Sequence, residues 1–150
     1  TTVDLAEIAA RYARKNPRGI NPATKTFQAV RMAVNGETDN IKLGLEQATR
    51  VLAPGGRLVV ISYHSLEDRI VKQWFRRESS NCICSPEQLE CVCNHSATLR
   101  LIDRKVKRPT ATEVGENPRS RSARLRVAER LGPGSPNDGE DMKISGRTQR

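Results

Sequence analysis

Four cysteines fall within twelve residues, in the run CICSPEQLECVC, as two C-x-C pairs with six residues between them. Cys82, Cys84, Cys91 and Cys93 thus bring four sulfurs together in sequence, the number that fills a tetrahedral zinc shell. The same thiols are also compatible with reduced structural or redox-responsive cysteines, or with disulfides, and C-x-C is a tighter chelate than the commoner C-x-x-C. His95 lies just beyond, either a spare ligand or an exposed loop histidine.

The second concentration of chemistry is Tyr63-His64-Ser65, set between the apolar run LVVIS and the charged stretch LEDRIVKQW. Leu58 to Ser62 is short and β-branched, follows Pro54-Gly55-Gly56, and reads as a strand buried on both faces, as in a parallel sheet. Ser65 reads as the N-cap of the next helix, accepting from the Asp68 N–H while the Asp68 carboxylate reaches back to the Ser65 N–H. Glu67 and Asp68 suit the helix dipole. In open α/β folds ligands bind beyond the carboxyl ends of the strands, so Tyr63, His64 and Ser65 would stand on the rim of a site.

These residues need a scaffold, and the 150-residue chain, 36% apolar, has enough for one modest core. Thr1 and Asp4 can cap a first helix with Leu5, Ile8, Ala9 and Tyr12 at helical spacing. After the loop RKNPRGI, Asn21 as N-cap and Pro22 at the first helical position open a second helix, with Phe27, Val30, Arg31 and Val34 along one side. Asn35-Gly36 separates it from a third, which carries Ile41, Leu45, Ala48 and Leu52. The helix after His64 has an apolar stripe of Leu66, Ile70, Val71, Trp74 and Phe75, with Arg69, Lys72 and Arg76 on another side. ATLRLIDRKV then reads as a strand, Thr110 with Glu113 as a short capped helix, and SARLRVAER as a half-exposed strand. The tail from Gly132 has almost no apolar content and is expected to be disordered. The chain opens on Thr1 rather than Met and is read as a fragment, the later half of a doubly wound domain.

The formal charge of +9 and pI near 9.9 point to an anionic partner, most often nucleic acid. From Arg100 to Arg130 eight Arg and two Lys face four acids, a net of +6. Arginine forks bind phosphate oxygens bidentately, and Arg119 and Arg121 in NPRSRSA, with small Ser120 and Ser122 beside them, are the sharpest candidates. Lys25, Arg31, Arg69, Lys72, Arg76 and Arg124 are further RNA-contact candidates; a solvated basic face or a structural arginine would use the same residues. No apolar run approaches the roughly 20 residues of a membrane span, and no signal peptide is visible. The only G-x-G is Gly132-Pro133-Gly134, with no strand before it, so no nucleotide-binding loop is read here.

Three stretches in order, NPATKTFQAVRMAVNGE, LAPGGRLVVISYHSLEDRIVKQWFRR and NPRSRSARLRVAE, resemble the C-terminal half of the small-subunit ribosomal RNA cytosine-N4 methyltransferases, the MraW or RsmH family. The resemblance runs from Thr1 to about Arg130, and the paired C-x-C segment is similar to one in a subset of the family. The family usually has His where this chain has Asn21, Arg at Lys25 and Phe at Tyr63.

The resemblance implies an α/β fold, the later strands and helices of a Rossmann-like class I methyltransferase sheet, with residues 1–20 as the end of a helical insert domain. Residues 21–131 would then be the C-terminal part of the methyltransferase domain, including a cysteine loop at 81–96, and 132–150 a tail. It implies transfer of a methyl group from S-adenosylmethionine to the exocyclic amine of a cytidine, with the cofactor bound mainly by an upstream half; zinc, a second candidate ligand, rests on the four cysteines alone. Tyr63, His64 and Ser65 would help line the pocket. The implied partner is small-subunit ribosomal RNA or the assembled small subunit, with no membrane and with a homodimer left open. The implied compartment is the cytoplasm, a mitochondrial or plastid matrix being the alternative. A non-catalytic basic module that binds RNA or the ribosome is the competing reading.

Overall fold

A computed structural model describes residues 1–12, 21–88 and 90–133. The expected loop at 14–20 and nearly all of the expected disordered tail lie outside them. The chain divides into two units, residues 1–40 and 41–150.

In the first unit, helix α1 (Thr2–Tyr12) is capped as anticipated: the Thr1 hydroxyl donates to Asp4 Oδ2 at 2.9 Å and accepts from the Asp4 N–H at 3.4 Å. Its apolar stripe is open to solvent at Ile8 and Tyr12. Helix α2 (Thr24–Asn35) starts later than the Asn-Pro pair suggests. Asn21 Oδ1 accepts from the Ala23 N–H at 2.9 Å and the Asn21 carbonyl from the Thr24 N–H at 3.0 Å. Asn21 therefore makes a turn over Pro22-Ala23, and the helix begins only where that turn ends. Gly36, at φ +60°, closes α2 in the left-handed conformation that glycine adopts without a Cβ penalty. Helix α3 (Glu37–Val51) follows at once, and the division between the units falls within it.

The second unit is a three-stranded antiparallel sheet covered on one face by helices. Strands β1 (Arg57–Ser62), β2 (Leu99–Leu101) and β3 (Arg124–Arg130) lie in the order β1-β3-β2. Val60 pairs with Arg126 and Leu101 with Ala128. Helix α4 (Ser65–Glu78) packs with α3 on the face that carries Leu58, Val60, Leu99, Leu101 and Ala128. Leu45, Val71, Phe75, Leu99 and Ala128 form the buried centre. Thr49 joins the two helices: its hydroxyl donates to the Leu45 carbonyl at 2.8 Å and accepts from Trp74 Nε1 at 3.4 Å.

Two sequence expectations need correction. The β1 strand is not buried on both faces in a parallel arrangement. Among the described residues it is an edge strand paired only with antiparallel β3, and Val59 and Ile61 are each more than half exposed. A continuous apolar run specifies a strand but not the direction of its neighbour. The stretch ATLRLIDRKV keeps only three residues as strand. After Ile102 the chain bends, Lys107 Nζ meets Asp103 Oδ2 at 2.8 Å, and the backbone rejoins β3 at Lys107 opposite Leu125. The stretch SARLRVAER is the half-exposed strand its alternation predicts: the face of β3 turned to the core carries Ala128, and Leu125 and Val127 line the other, half-buried face.

The turn at Pro54-Gly55-Gly56 sets β1 beside β3. Gly55 has φ +81°, its N–H donates to the Arg130 carbonyl at 2.8 Å, and the Arg130 N–H returns a bond of 2.8 Å to the Gly56 carbonyl. A Cβ on Gly56 would lie 2.8 Å from the Ala53 carbonyl oxygen. Helix α5 (Ala111–Glu116) is capped as read, Thr110 Oγ1 accepting from the Glu113 N–H at 3.2 Å. A 3₁₀ helix at Pro118–Ser122 leads into β3. No helix among the described residues is long and apolar enough to cross a membrane.

Candidate functional site

The carboxyl end of β1 and the start of α4 bring Tyr63, His64 and Ser65 to one rim, but the cap is built one residue earlier than the sequence suggests. His64, extended at φ −113° and ψ 150°, is the N-cap, and Ser65 is the first helical residue. Glu67 supplies the return arm: one carboxylate oxygen accepts from the Tyr63 N–H at 3.0 Å and from the His64 N–H at 3.1 Å. Its other oxygen lies 3.2 Å from His64 Nδ1, close enough for an ion pair although not aligned for a hydrogen bond in this conformation. Partial burial, the largest single influence, pushes the Glu67 pKa up. The two backbone donors and the His64 imidazole together outweigh it and hold the carboxyl below its ordinary range. Tyr63 is half exposed and Ser65 exposed, so this rim faces solvent.

Asp68, expected to close the cap on Ser65, does something else. Arg126 of β3 holds it bidentately, Nε to Oδ1 at 2.7 Å and Nη2 to Oδ2 at 3.2 Å, and Arg124 Nη1 stands 3.8 Å from Oδ2. The Asp68 and Arg126 side chains are only 14% and 12% exposed. Behind the rim, the buried Ser62 hydroxyl reaches the Arg124 carbonyl at 3.5 Å. The first turn of α4 is thereby tied to β3 by a planar, charge-assisted contact. Sequence reasoning missed Glu67 and Arg126 in these roles. The legible signal was the His64-x-x-Glu67 spacing, which fits a capping box as well as Ser65-x-x-Asp68 does.

The basic candidates separate into two kinds. Arg69, Lys72 and Arg76 are exposed at spacings of three and four on α4, and so share one helical face. Arg119 and Arg121 are exposed on the 3₁₀ helix rather than on an open loop. Ser120 between them is buried, so it anchors the turn instead of clearing an approach for phosphate. Arg124 is turned toward Asp68. In the first unit Lys25 is exposed, whereas Arg31 is engaged by Glu37, with Nε to Oε1 at 2.9 Å and Nη2 to Oε2 at 3.1 Å. None of these residues lines the cleft of about 350 Å³ bounded by Thr49, Trp74, Arg77, Thr98 and Arg130.

The cysteines converge. The sulfurs of Cys82, Cys84, Cys91 and Cys93 all lie within 4.8 Å of one another, and none is in a disulfide. Cys91 and Cys93 are 3.5 Å apart, Cys93 and Cys82 3.8 Å. Backbone N–H groups of Ile83 and His95 draw the Cys93 thiol down to about 6. The Cys84 N–H favours the Cys82 thiolate, but hydrogen bonding with the neighbouring sulfurs overrides it and pushes Cys82 up to about 12. His95 stands outside the cluster, its Nε2 bonded to the Arg77 carbonyl at 3.0 Å.

Comparison with known proteins adds a family to this geometry. Residues 1–131 match the family described as MraW methylase. A protein named ribosomal RNA small subunit methyltransferase H from Thermomicrobium roseum is 54% identical over 131 residues, covering 87% of this chain and 40% of that protein. The protein of the same name from Dehalococcoides mccartyi is 53% identical over 131 residues, 87% of this chain and 38% of its own length. The one from Solidesulfovibrio magneticus is 48% identical over 145 residues, with 95% and 44% covered. The chain thus spans about two fifths of the length of these curated relatives.

Proposed function

This chain belongs to the MraW methylase family, and from that premise we propose that it supplies the later strands and helices of a Rossmann-like domain that methylates the N4 amine of a cytidine in small-subunit ribosomal RNA. Residues 1–20 are the end of a helical insert, 21–131 the later part of the catalytic domain, and 132–150 a tail. The relatives carry the rRNA methyltransferase name at about 50% identity, and the antiparallel β1-β3-β2 sheet with helices on one face is compatible with such a part-domain.

The observation that carries the catalytic reading is the His64–Glu67 pair at the end of β1. A cytosine amine is a weak nucleophile because its lone pair is delocalised into the ring, so it needs an acceptor for its N–H and exact placement. Glu67 Oε1 stands 3.2 Å from Nδ1, and a neutral imidazole that carries its proton on Nδ1 would present Nε2 as that acceptor. Tyr63 and Ser65, its neighbours in the chain, help line the pocket into which the base is flipped out of its stack. The Asp68–Arg126 contact holds the helix turn that carries them. S-adenosylmethionine supplies an electrophilic methyl group, and no residue of this chain is assigned to hold it. RNA is drawn in by Arg69, Lys72, Arg76, Arg119 and Arg121, with Lys25, Arg31 and Arg124 as lesser contributors. Such work on ribosomal RNA belongs to the bacterial cytoplasm, or to an organelle matrix.

Calorimetry tests the division of labour. Residues 1–150 should give negligible heat with S-adenosylmethionine, because no phosphate- or ribose-cradling glycine loop follows a strand among the described residues. Micromolar binding to this chain alone would contradict it.

A further inference from the structure

We propose that the segment between α4 and β2 is a structural zinc site, one ion held by Cys82, Cys84, Cys91 and Cys93. A tetrahedral ion with zinc–sulfur bonds of about 2.3 Å spaces its sulfurs roughly 3.8 Å apart. The separations of 3.5 and 3.8 Å, with all four sulfurs inside 4.8 Å, surround that value. They are far from the roughly 2.05 Å of a disulfide. Two sulfurs also accept backbone N–H groups, Ile83 to Cys93 at 3.5 Å and Cys84 to Cys82 at 3.4 Å. Such outer bonds orient thiolates and offset their negative charge.

The segment has little else to hold it. From Ser79 to Thr98 the described residues contain no helix or strand, and the large apolar side chains Ile83 and Val92 are 43% and 66% exposed. Its neck is closed by hydrogen bonds: the Thr98 N–H to the Glu78 carbonyl at 2.8 Å, the Thr98 hydroxyl to Glu78 Oε2 at 2.6 Å, and the Ala97 N–H to Asn81 Oδ1 at 3.4 Å. The tip, with no apolar core among its described residues and no disulfide, is where a metal would replace the missing cohesion. Four protein sulfurs leave no coordination position for water, so the ion is structural and not catalytic. Binding displaces the thiol protons to solvent, and no oxidation is involved. Because the sheet core of Leu45, Val71, Phe75, Leu99 and Ala128 includes none of these residues, the ion stabilises the segment and not the sheet.

The test is metal analysis of the full chain purified without chelator, followed by chelation and titration with cobalt(II). One zinc per chain, and a cobalt complex with the charge-transfer and tetrahedral d–d bands of a thiolate site, are expected. Cys91→Ser should lose the metal while retaining the far-ultraviolet circular dichroism of the parent, and Cys84→Ser provides the same comparison if the first variant fails to fold. A folded chain with four freely titratable thiols and no metal, or with disulfides, would overturn the proposal, as would full zinc retention in both variants.

Discussion

Arg126 grips Asp68 through two guanidinium nitrogens across a sequence separation of 58 residues, at 2.7 and 3.2 Å, with both side chains largely withdrawn from water. Breaking a buried pair by removing one partner leaves an uncompensated charge, at a cost of about 3–5 kcal/mol. Asp68→Ala and Arg126→Ala should each lower the urea midpoint strongly. The double variant should be less destabilised than the sum of the two. Additive losses would mean that the pair does not act as a unit.

Glu67 makes the rim acid-sensitive. Its carboxyl is held below the ordinary value of 4.5 in the folded chain, so its contribution is complete above the unfolded value and is lost as pH falls through the folded one. Glu67→Gln keeps an acceptor for the backbone N–H groups but cannot titrate, and should flatten the stability-against-pH curve on that acid limb. Glu67→Ala should cost about 1 kcal/mol at neutral pH as well. Unfolding curves at a series of pH values check both, and an unchanged acid limb in the Gln variant would count against the assignment.

Gly56 leaves no room for a side chain, because a Cβ would meet the Ala53 carbonyl at 2.8 Å. Gly56→Ala should destabilise by about 1–3 kcal/mol. Thermal unfolding of the variant measures this, and a neutral result would show that the Pro54-Gly55-Gly56 turn yields easily.

For RNA, each neutralised phosphate releases condensed counterions. Arg119→Ala with Arg121→Ala should flatten the plot of log affinity against log salt by about one unit for each phosphate no longer neutralised, and weaken different sequences about equally. If the folded double variant keeps its affinity and slope, the 3₁₀ turn is structural, and the exposed face of Arg69, Lys72 and Arg76 becomes the leading RNA-binding surface.

The helices were legible because their signals are local. Thr110 with Glu113 and Asn35-Gly36 mark boundaries through groups three residues apart or adjacent, and the structure keeps them. Strand partnership was not legible. Nothing within LVVIS reveals that its neighbour runs antiparallel and comes from residues 124–130. The one-residue error at the α4 cap has the same origin. Both His64-x-x-Glu67 and Ser65-x-x-Asp68 fit the local pattern, and what decides between them is Arg126, which claims the Asp68 carboxylate from the neighbouring strand β3, 58 residues away in sequence. The cysteine cluster was legible as four candidate ligands, whereas the convergence of their sulfurs needed coordinates.

Cytidine N4-methylation with His64 as the proton acceptor is decided by nucleoside mass spectrometry of small-subunit ribosomal RNA treated with S-adenosylmethionine and the natural protein that carries this sequence. N4-methylcytidine at a defined position is expected, and in His64→Ala a large fall in kcat with S-adenosylmethionine affinity unchanged. Methyl transfer to another atom, or full activity without the His64 imidazole, would contradict it.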